Sequence, residues 1–225
     1  MKFYPRTSIF ALALAVHGVQ AAEELEEVIV TADFRASELM TSAASVSVLG
    51  ELQIEERGAQ HLEDILSAAP NVSWSTGASR SRFVQFRGVG DLEQDAEPKY
   101  FPSVGVMVDD LELGSAANAG MLFDVSQVEV LRGPQGTRFG ASAHAGMIKI
   151  NSNAPTDEFE ALLRGGVGNY GTYNVGGVIS GPIGDTLAGR IALQQNTGDG
   201  YIENDHLGRD DTAGFDELTG RARLH

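Results

Sequence analysis

The stretch Val128-Glu-Val-Leu-Arg-Gly-Pro-Gln-Gly-Thr-Arg-Phe-Gly140 decides how the chain is read. Val128 and Val130 form a short strand signal that stops at Arg132-Gly-Pro134. Glycine frees φ and proline removes a backbone donor, so Gly133, Pro134, Gly136 and Gly140 argue against any regular element after the strand. The local expectation is a tight, side-chain-poor turn under a sheet.

On either side of that turn, residues 41–153 read as a small α+β domain of about 120 residues. Val46 and Val48 alternate with serines. Leu62, Ile65, Leu66 and Ala69 recur at helical spacing and end before Pro70. Val72-Ser-Trp74, Phe83-Val-Gln-Phe86, Val104-Gly-Val-Met-Val108 and Met147-Ile-Lys-Ile150 supply further strand signals.

The N-terminus carries different information. Lys2 and Arg6 precede an apolar run from Ile9 to Val16 and then Val19-Gln-Ala21, the pattern of a secretory signal peptide over residues 1–21, cut near Ala21 or Ala22. A membrane anchor would need ~20 apolar residues. Loss of Lys2 and Arg6 takes the charge from −15 to −17. Phosphate binding requires a basic face, so nucleic acid is not expected as a partner. The chain has no Cys, which excludes a lipid anchor on cysteine and any disulfide framework. Residues 22–40 follow as a separate segment ahead of that domain. Within it Val28-Ile-Val-Thr31 is a β-branched run, with no partner expected nearby, that suits strand addition to another protein or the first strand of the next domain.

Past Pro155 the helix signals vanish. Over residues 154–225, Leu187, Gly189, Ile191 and Leu193 alternate with Ala188, Arg190, Ala192 and Gln194. Leu218, Gly220, Ala222 and Leu224 alternate with Thr219, Arg221 and Arg223; Phe159–Gly168 and Tyr173–Pro182 are weaker versions. Such segments fit transmembrane β-barrel strands with the apolar side outward, and equally a soluble sheet with one wet face. Arg190, Arg221 and Arg223 on the inward face fit both.

Taken together the chain resembles the TonB-dependent outer-membrane receptors. Glu26-Glu-Val-Ile-Val-Thr-Ala32 resembles the family's TonB box. Leu62-Glu-Asp-Ile-Leu-Ser-Ala-Ala-Pro-Asn-Val72 looks like the plug helix and its exit. Phe86-Arg-Gly-Val-Gly90 and Val104-Gly-Val-Met-Val-Asp-Asp110 resemble two further plug motifs, and Phe123 to Gly140 is the most specific block. Leu187-Ala-Gly-Arg-Ile-Ala-Leu193 and Asp199-Gly-Tyr-Ile-Glu-Asn204 look like the third barrel strand and the start of its outer loop. Two motifs depart from the family. Asp109-Asp110 stands for Asp-Gly, and Ala141-Ser-Ala-His-Ala-Gly146 stands for Arg-Asn-Ala-x-Gly-Gly. The fold so implied is an α+β plug followed by the first antiparallel strands of a β-barrel. A barrel of about 22 strands needs far more chain than the 68 residues after 157, which have room for about four. The chain is therefore expected to be an N-terminal fragment.

The resemblance implies uptake of a scarce ligand, an iron-siderophore or similar, across the outer membrane, with the complete barrel in lipid. The alternative is a stand-alone periplasmic plug-like binding module or a truncated, non-functional product. TonB would bind Glu27, Val28, Ile29, Val30 and Thr31 by strand addition. Arg87 and Arg132 would lock the plug to barrel carboxylates, against the plainer role of capping nearby carbonyls. Ligand contacts would come from the loops 75–82 and 91–101, with Trp74, Arg80, Arg82, Asp91, Glu93, Tyr100 and Phe101 as candidates. Asp91, Glu93, Asp95 and Glu97 offer oxygen to a hard cation or simply solvate the loop; no metal site or cofactor is assigned. Gly166-Val-Gly-Asn-Tyr-Gly171 has dinucleotide spacing, but turn and strand signals follow it where a helix is required. His61 and Asp64 are expected at the surface. No catalytic cluster is found, and no enzyme is expected.

Overall fold

The computed structural model describes residues 29–31, 37–39, 42, 44–76, 82–91, 101–113 and 121–225. The signal-peptide reading, Glu27, Val28, Arg80, Glu93 and Tyr100 lie outside them.

The centre of the plug is a five-stranded mixed sheet. Its strands are β3 (Ser45–Gly50), β7 (Val104–Val108), β8 (Leu111–Glu112), β9 (Val125–Arg132) and β10 (Gly146–Ser152), in the order β3-β9-β10-β7-β8. β10 runs parallel to β7 and antiparallel to β9. β9 and β10 are covered on both faces, which is why Val128-Glu-Val-Leu131 and Met147-Ile-Lys-Ile150 read as near-continuous apolar runs. On one face Val128, Val130, Ile148 and Ile150 meet α1 (Glu51–Glu56) and α2 (Leu62–Leu66). Leu62, Ile65, Leu66 and Ala69 are all buried there, as their spacing predicts, each large side chain contributing about 1.5–3 kcal/mol. A three-stranded sheet of β4 (Val72–Thr76), β5 (Arg82–Phe86) and β6 (Val89–Gly90) completes this side.

The opposite face holds Leu131, Met107, Met147 and Ala143. It is closed by a short hairpin of β1 (Ile29–Val30) and β2 (Ser37–Glu38), and Val30 is fully buried in it. Ile29 and Val30 of that run thus pair with Glu38 and Ser37, a partner close in sequence where none was expected.

The turn after β9 also differs. Gly136–Phe139 forms one helical turn, α3, followed by a 3-10 turn over Gly140–Ser142. Glycine at 133 and 140 supplies φ values of 112° and 74° at the bends. Gly136–Phe139 has no β-branched residue beyond Thr137 to oppose a helical turn, and the Arg138 and Phe139 N–H groups donate to the Gln135 carbonyl.

β11 (Glu160–Val167), β12 (Tyr173–Pro182), β13 (Ala188–Asn204) and β14 (Arg209–Leu224) form one antiparallel meander, called the wall below. β13 runs through to Asn204, so Asp199–Asn204, expected to open a loop, extends the strand. The polarity of the meander is inverted relative to a soluble sheet. Leu163, Ile179, Ile191, Leu193 and Leu218 are exposed on the outer face, whereas Arg190, Gln194 and Asn196 are buried on the inner one. Among the described residues no helix is long and apolar enough to cross a membrane, which says nothing of strands.

The family departures are accommodated locally. Only Asp109 of the Asp109-Asp110 turn has positive φ (54°), so glycine is not required at 110. Gly146 is the glycine that cannot change: at φ 155° its Cβ would stand 2.3 Å from the Leu131 carbonyl oxygen and 2.4 Å from Phe86 Cδ2. Gly146→Ala is expected to lower plug stability by about 1–3 kcal/mol, read as a lower urea midpoint at unchanged slope.

Candidate functional site

Two constellations stand out, one holding the N-terminal segment and one joining plug to wall. The first is built on Glu129, a carboxylate with no exposed surface in the middle of β9. A buried carboxylate is tolerated only when hydrogen-bonded. Glu129 Oε1 accepts the Thr31 backbone N–H (3.0 Å), the Thr31 hydroxyl (2.7 Å), Gln127 Nε2 (2.7 Å) and Asn151 Nδ2 (2.7 Å). Gln127 also donates to the Ile29 carbonyl (3.1 Å), and Asn151 to Thr31 Oγ1 (3.1 Å). Lys149, the register partner of Glu129, places Nζ 3.5 Å from the Thr31 carbonyl and 3.4 Å from Asp110 Oδ1. Side chains of two adjacent sheet strands thus clasp Ile29 to Thr31, while Val30 seals the apolar pocket beside them. The clasp consists of side-chain bonds; among the described residues the only ladder partner of β1 is the two-residue β2.

The second constellation is a row of wall cations on plug anions and carbonyls. Arg190 of β13 donates Nε to both oxygens of Asp124 (3.1 and 3.0 Å) and an Nη2 proton to Oδ1 (2.6 Å). Both side chains are almost fully buried, at 7% and 4% exposure. Arg221 donates to the carbonyls of Phe123 (2.8 Å) and Asp124 (3.0 Å), and Arg223 to that of Ser152 (2.9 Å). Nearer α1, Arg164 pairs with Glu55 in a half-exposed contact worth at most about 1 kcal/mol. Burial first, and then the charge of Glu55, raise the Glu51 carboxyl above its ordinary value. His61 Nε2 lies 2.8 Å from Glu217 Oε2 on β14, and Asp64 Oδ2 accepts the backbone N–H of both Gln60 and His61 (3.0 Å each). Both were expected at the surface: Asp64 is exposed there and caps α2, whereas His61 is partly buried and bridges to the wall.

Arg87 and Arg132 converge beside the β4 entry. Arg132 donates to the Pro70 carbonyl (2.8 Å) and to Ser47 Oγ (2.9 Å), and its Nε is buried with no partner among the described residues. Burial, and then the positive charge of Arg87, lower its proton affinity from the ordinary guanidinium value. Arg87 sits at positive φ (55°), its N–H held by the Asn71 carbonyl (2.9 Å). Of the expected ligand-contact residues, Trp74 and Phe101 are exposed at 41% and 59%. Arg82 is placed opposite Thr76 at the end of the β4–β5 ladder. Asp91 engages both carboxylate oxygens with Ser103, taking its N–H (2.7 Å) and hydroxyl (3.0 Å).

Sequence reasoning missed Glu129 and Asp124. The available signal for Glu129 was a charge inside an apolar strand run; for Asp124 there was none.

Residues 38–147 match the family model described as the TonB-dependent Receptor Plug Domain. The chain is 29% identical over 227 residues to a pesticin receptor of Yersinia pestis, covering 99% of this chain and 33% of that protein. It is 25% identical over 223 residues to the vitamin B12 transporter BtuB of Photobacterium profundum, covering 93% and 35%. Among solved structures it matches the ferric yersiniabactin uptake receptor FyuA from Yersinia pestis at a TM-score of 0.71 and 30% identity, over 80% of this chain and 28% of that one. The ferripyoverdine receptor of the outer membrane of Pseudomonas aeruginosa shares the fold at a TM-score of 0.64 and 19% identity, over 78% and 23%. The chain spans about a third of the length of the curated relatives it matches. It belongs to the TonB-dependent receptor family.

Removing one partner of a buried pair leaves the other charge uncompensated. Asp124→Ala is therefore expected to destabilise the plug–wall contact by about 3–5 kcal/mol, read as faster proteolysis of the plug. The raised carboxyl of Glu51 favours its protonated form on folding, so its contribution is present below the ordinary value of 4.5 and lost as pH rises through the raised one. Glu51→Gln is expected to flatten that pH dependence in urea titrations, weakly because the group is mostly solvated.

Proposed function

We propose that this chain is the front of an outer-membrane receptor that imports a ferric siderophore, driven by TonB. It is the part that carries the TonB box, the plug and the first barrel strands. The observation that carries the reading is the clasp on Thr31. The segment expected to leave the plug and add itself to another protein's sheet, Glu27, Val28, Ile29, Val30 and Thr31, begins its described part held by side-chain bonds that break without unpairing any core strand. Strand addition would replace the two-residue β1–β2 ladder with a longer one.

The inverted wall supports placement in a bilayer, with Leu163, Ile179, Ile191, Leu193 and Leu218 toward lipid and the arginine-bearing face toward the plug. An iron-chelate cargo is favoured because the FyuA match, at 30% identity, is to a receptor for ferric yersiniabactin uptake. Arg87 and Arg132 are the lock we assign to barrel carboxylates. The unpartnered Nε of Arg132 and the repulsion between the two guanidiniums both leave an anion to be supplied.

Proline at Ile29 removes a ladder donor. In the complete receptor, Ile29→Pro is expected to abolish capture of the purified TonB C-terminal domain. Glu129→Gln is expected to increase capture in the absence of ligand, because a neutral amide holds Thr31 less tightly. Deleting the receptor is expected to stop radioiron uptake from ferric siderophores and to leave vitamin B12 uptake intact. Loss of vitamin B12 uptake with iron uptake unchanged would overturn the assignment of cargo.

A further inference from the structure

The corner Phe123-Asp124 is built with more constraint than a connection into β9 requires. Asp124 adopts φ 59°, a left-handed conformation that aspartate occupies at a cost. Its surroundings over-determine it. Arg190 forks its carboxylate, Asn153 Nδ2 donates to Oδ1 (3.1 Å), the Asn153 N–H donates to its carbonyl (3.2 Å), and Arg221 caps the two consecutive carbonyls of the corner.

The ring of Phe123 lies on the wall at Gly176 of β12. A Cβ at 176 would stand 2.8 Å from the ring Cζ, 2.9 Å from Cε2 and 3.4 Å from Gln194 Cγ. Gly176 has no positive φ, so its backbone does not ask for glycine. Room for the ring is the remaining reason for the absent side chain. The next residue is a natural control: at Gly177 a Cβ would meet nothing closer than 3.6 Å.

We infer that Phe123 and Asp124 form a seating key, the ring in a glycine socket at Gly176 and the carboxylate in the fork of Arg190, that fixes the plug against β12–β14. Both halves of the key and its socket lie within this chain, so plug and first strands register with each other independently of the rest of a barrel. Phe123, Asp124, Gly176 and Arg190 are positioning residues; none is assigned to ligand or to TonB. The inference rests on the plugged-barrel reading.

The test uses the complete receptor in outer membranes, with vancomycin, a solute the intact membrane excludes, as the probe of an unseated plug. Gly176→Val is expected to abolish exclusion while the barrel remains heat-modifiable, and Phe123→Ala in the same chain to restore exclusion by vacating the socket. Gly177→Val, the same β-branched change on the opposite face, is expected to leave exclusion intact. If Gly176→Val yields no folded receptor, recovery of folding on adding Phe123→Ala supports the key equally. Equal leakage from both glycine variants, full exclusion by Gly176→Val, or failure of Phe123→Ala to rescue would overturn it. The assay involves neither siderophore nor TonB, so its failure would leave the uptake reading untouched, and loss of uptake would leave the key untouched.

Discussion

A carboxylate without solvent in the middle of a sheet governs much of this plug. Glu129 lies on the inner strand β9 with no exposed surface, and its charge is tolerated because Thr31, Gln127 and Asn151 all donate to it. Two of those four bonds come from the N-terminal segment. While they hold, Val30 covers Leu131, Met107 and Met147; when they break, that apolar face and a buried charge are uncovered together. The segment is thereby coupled to the plug core by a polar contact that is strong while dry and weak once water enters.

β9 also joins the other contacts. Five residues before Glu129, Asp124 is fixed to the wall by Arg190, and three residues after it, Arg132 stands beside Arg87. One strand thus links the wall, the N-terminal segment and the arginine pair, with β10 paired along its length. The wall contributes by inversion: its cations face the plug, where desolvation strengthens their bonds, and its apolar side chains face away.

Much of the fold was legible from periodicity. The 62–69 face became the buried side of α2, and the apolar runs at 128–131 and 147–150 became the two central strands. Alternation in 187–194 and 218–224 located β13 and β14 but could not say which face was wet, because a period of two is silent on that point. The wall's position against the plug supplied the answer. Long-range partners were illegible: His61 and Glu217 are 156 residues apart, and Thr31 and Glu129 are 98 apart. The helical turn at Gly136–Phe139 was obscured because glycine punctuation signals a bend without giving its geometry. Asp64 read as a surface acid, although its place three residues after His61 is that of a capping box.

The most direct measurement is a pulsed electron-resonance distance between spin labels at Ile29→Cys and Val167→Cys. This chain has no native cysteine, and both positions are exposed. It would be made in the complete receptor, in outer membranes, without ligand. Clasping of the N-terminal segment by Glu129 predicts one narrow distance that broadens in Glu129→Gln. A broad distribution already present in the unmodified resting receptor would contradict it.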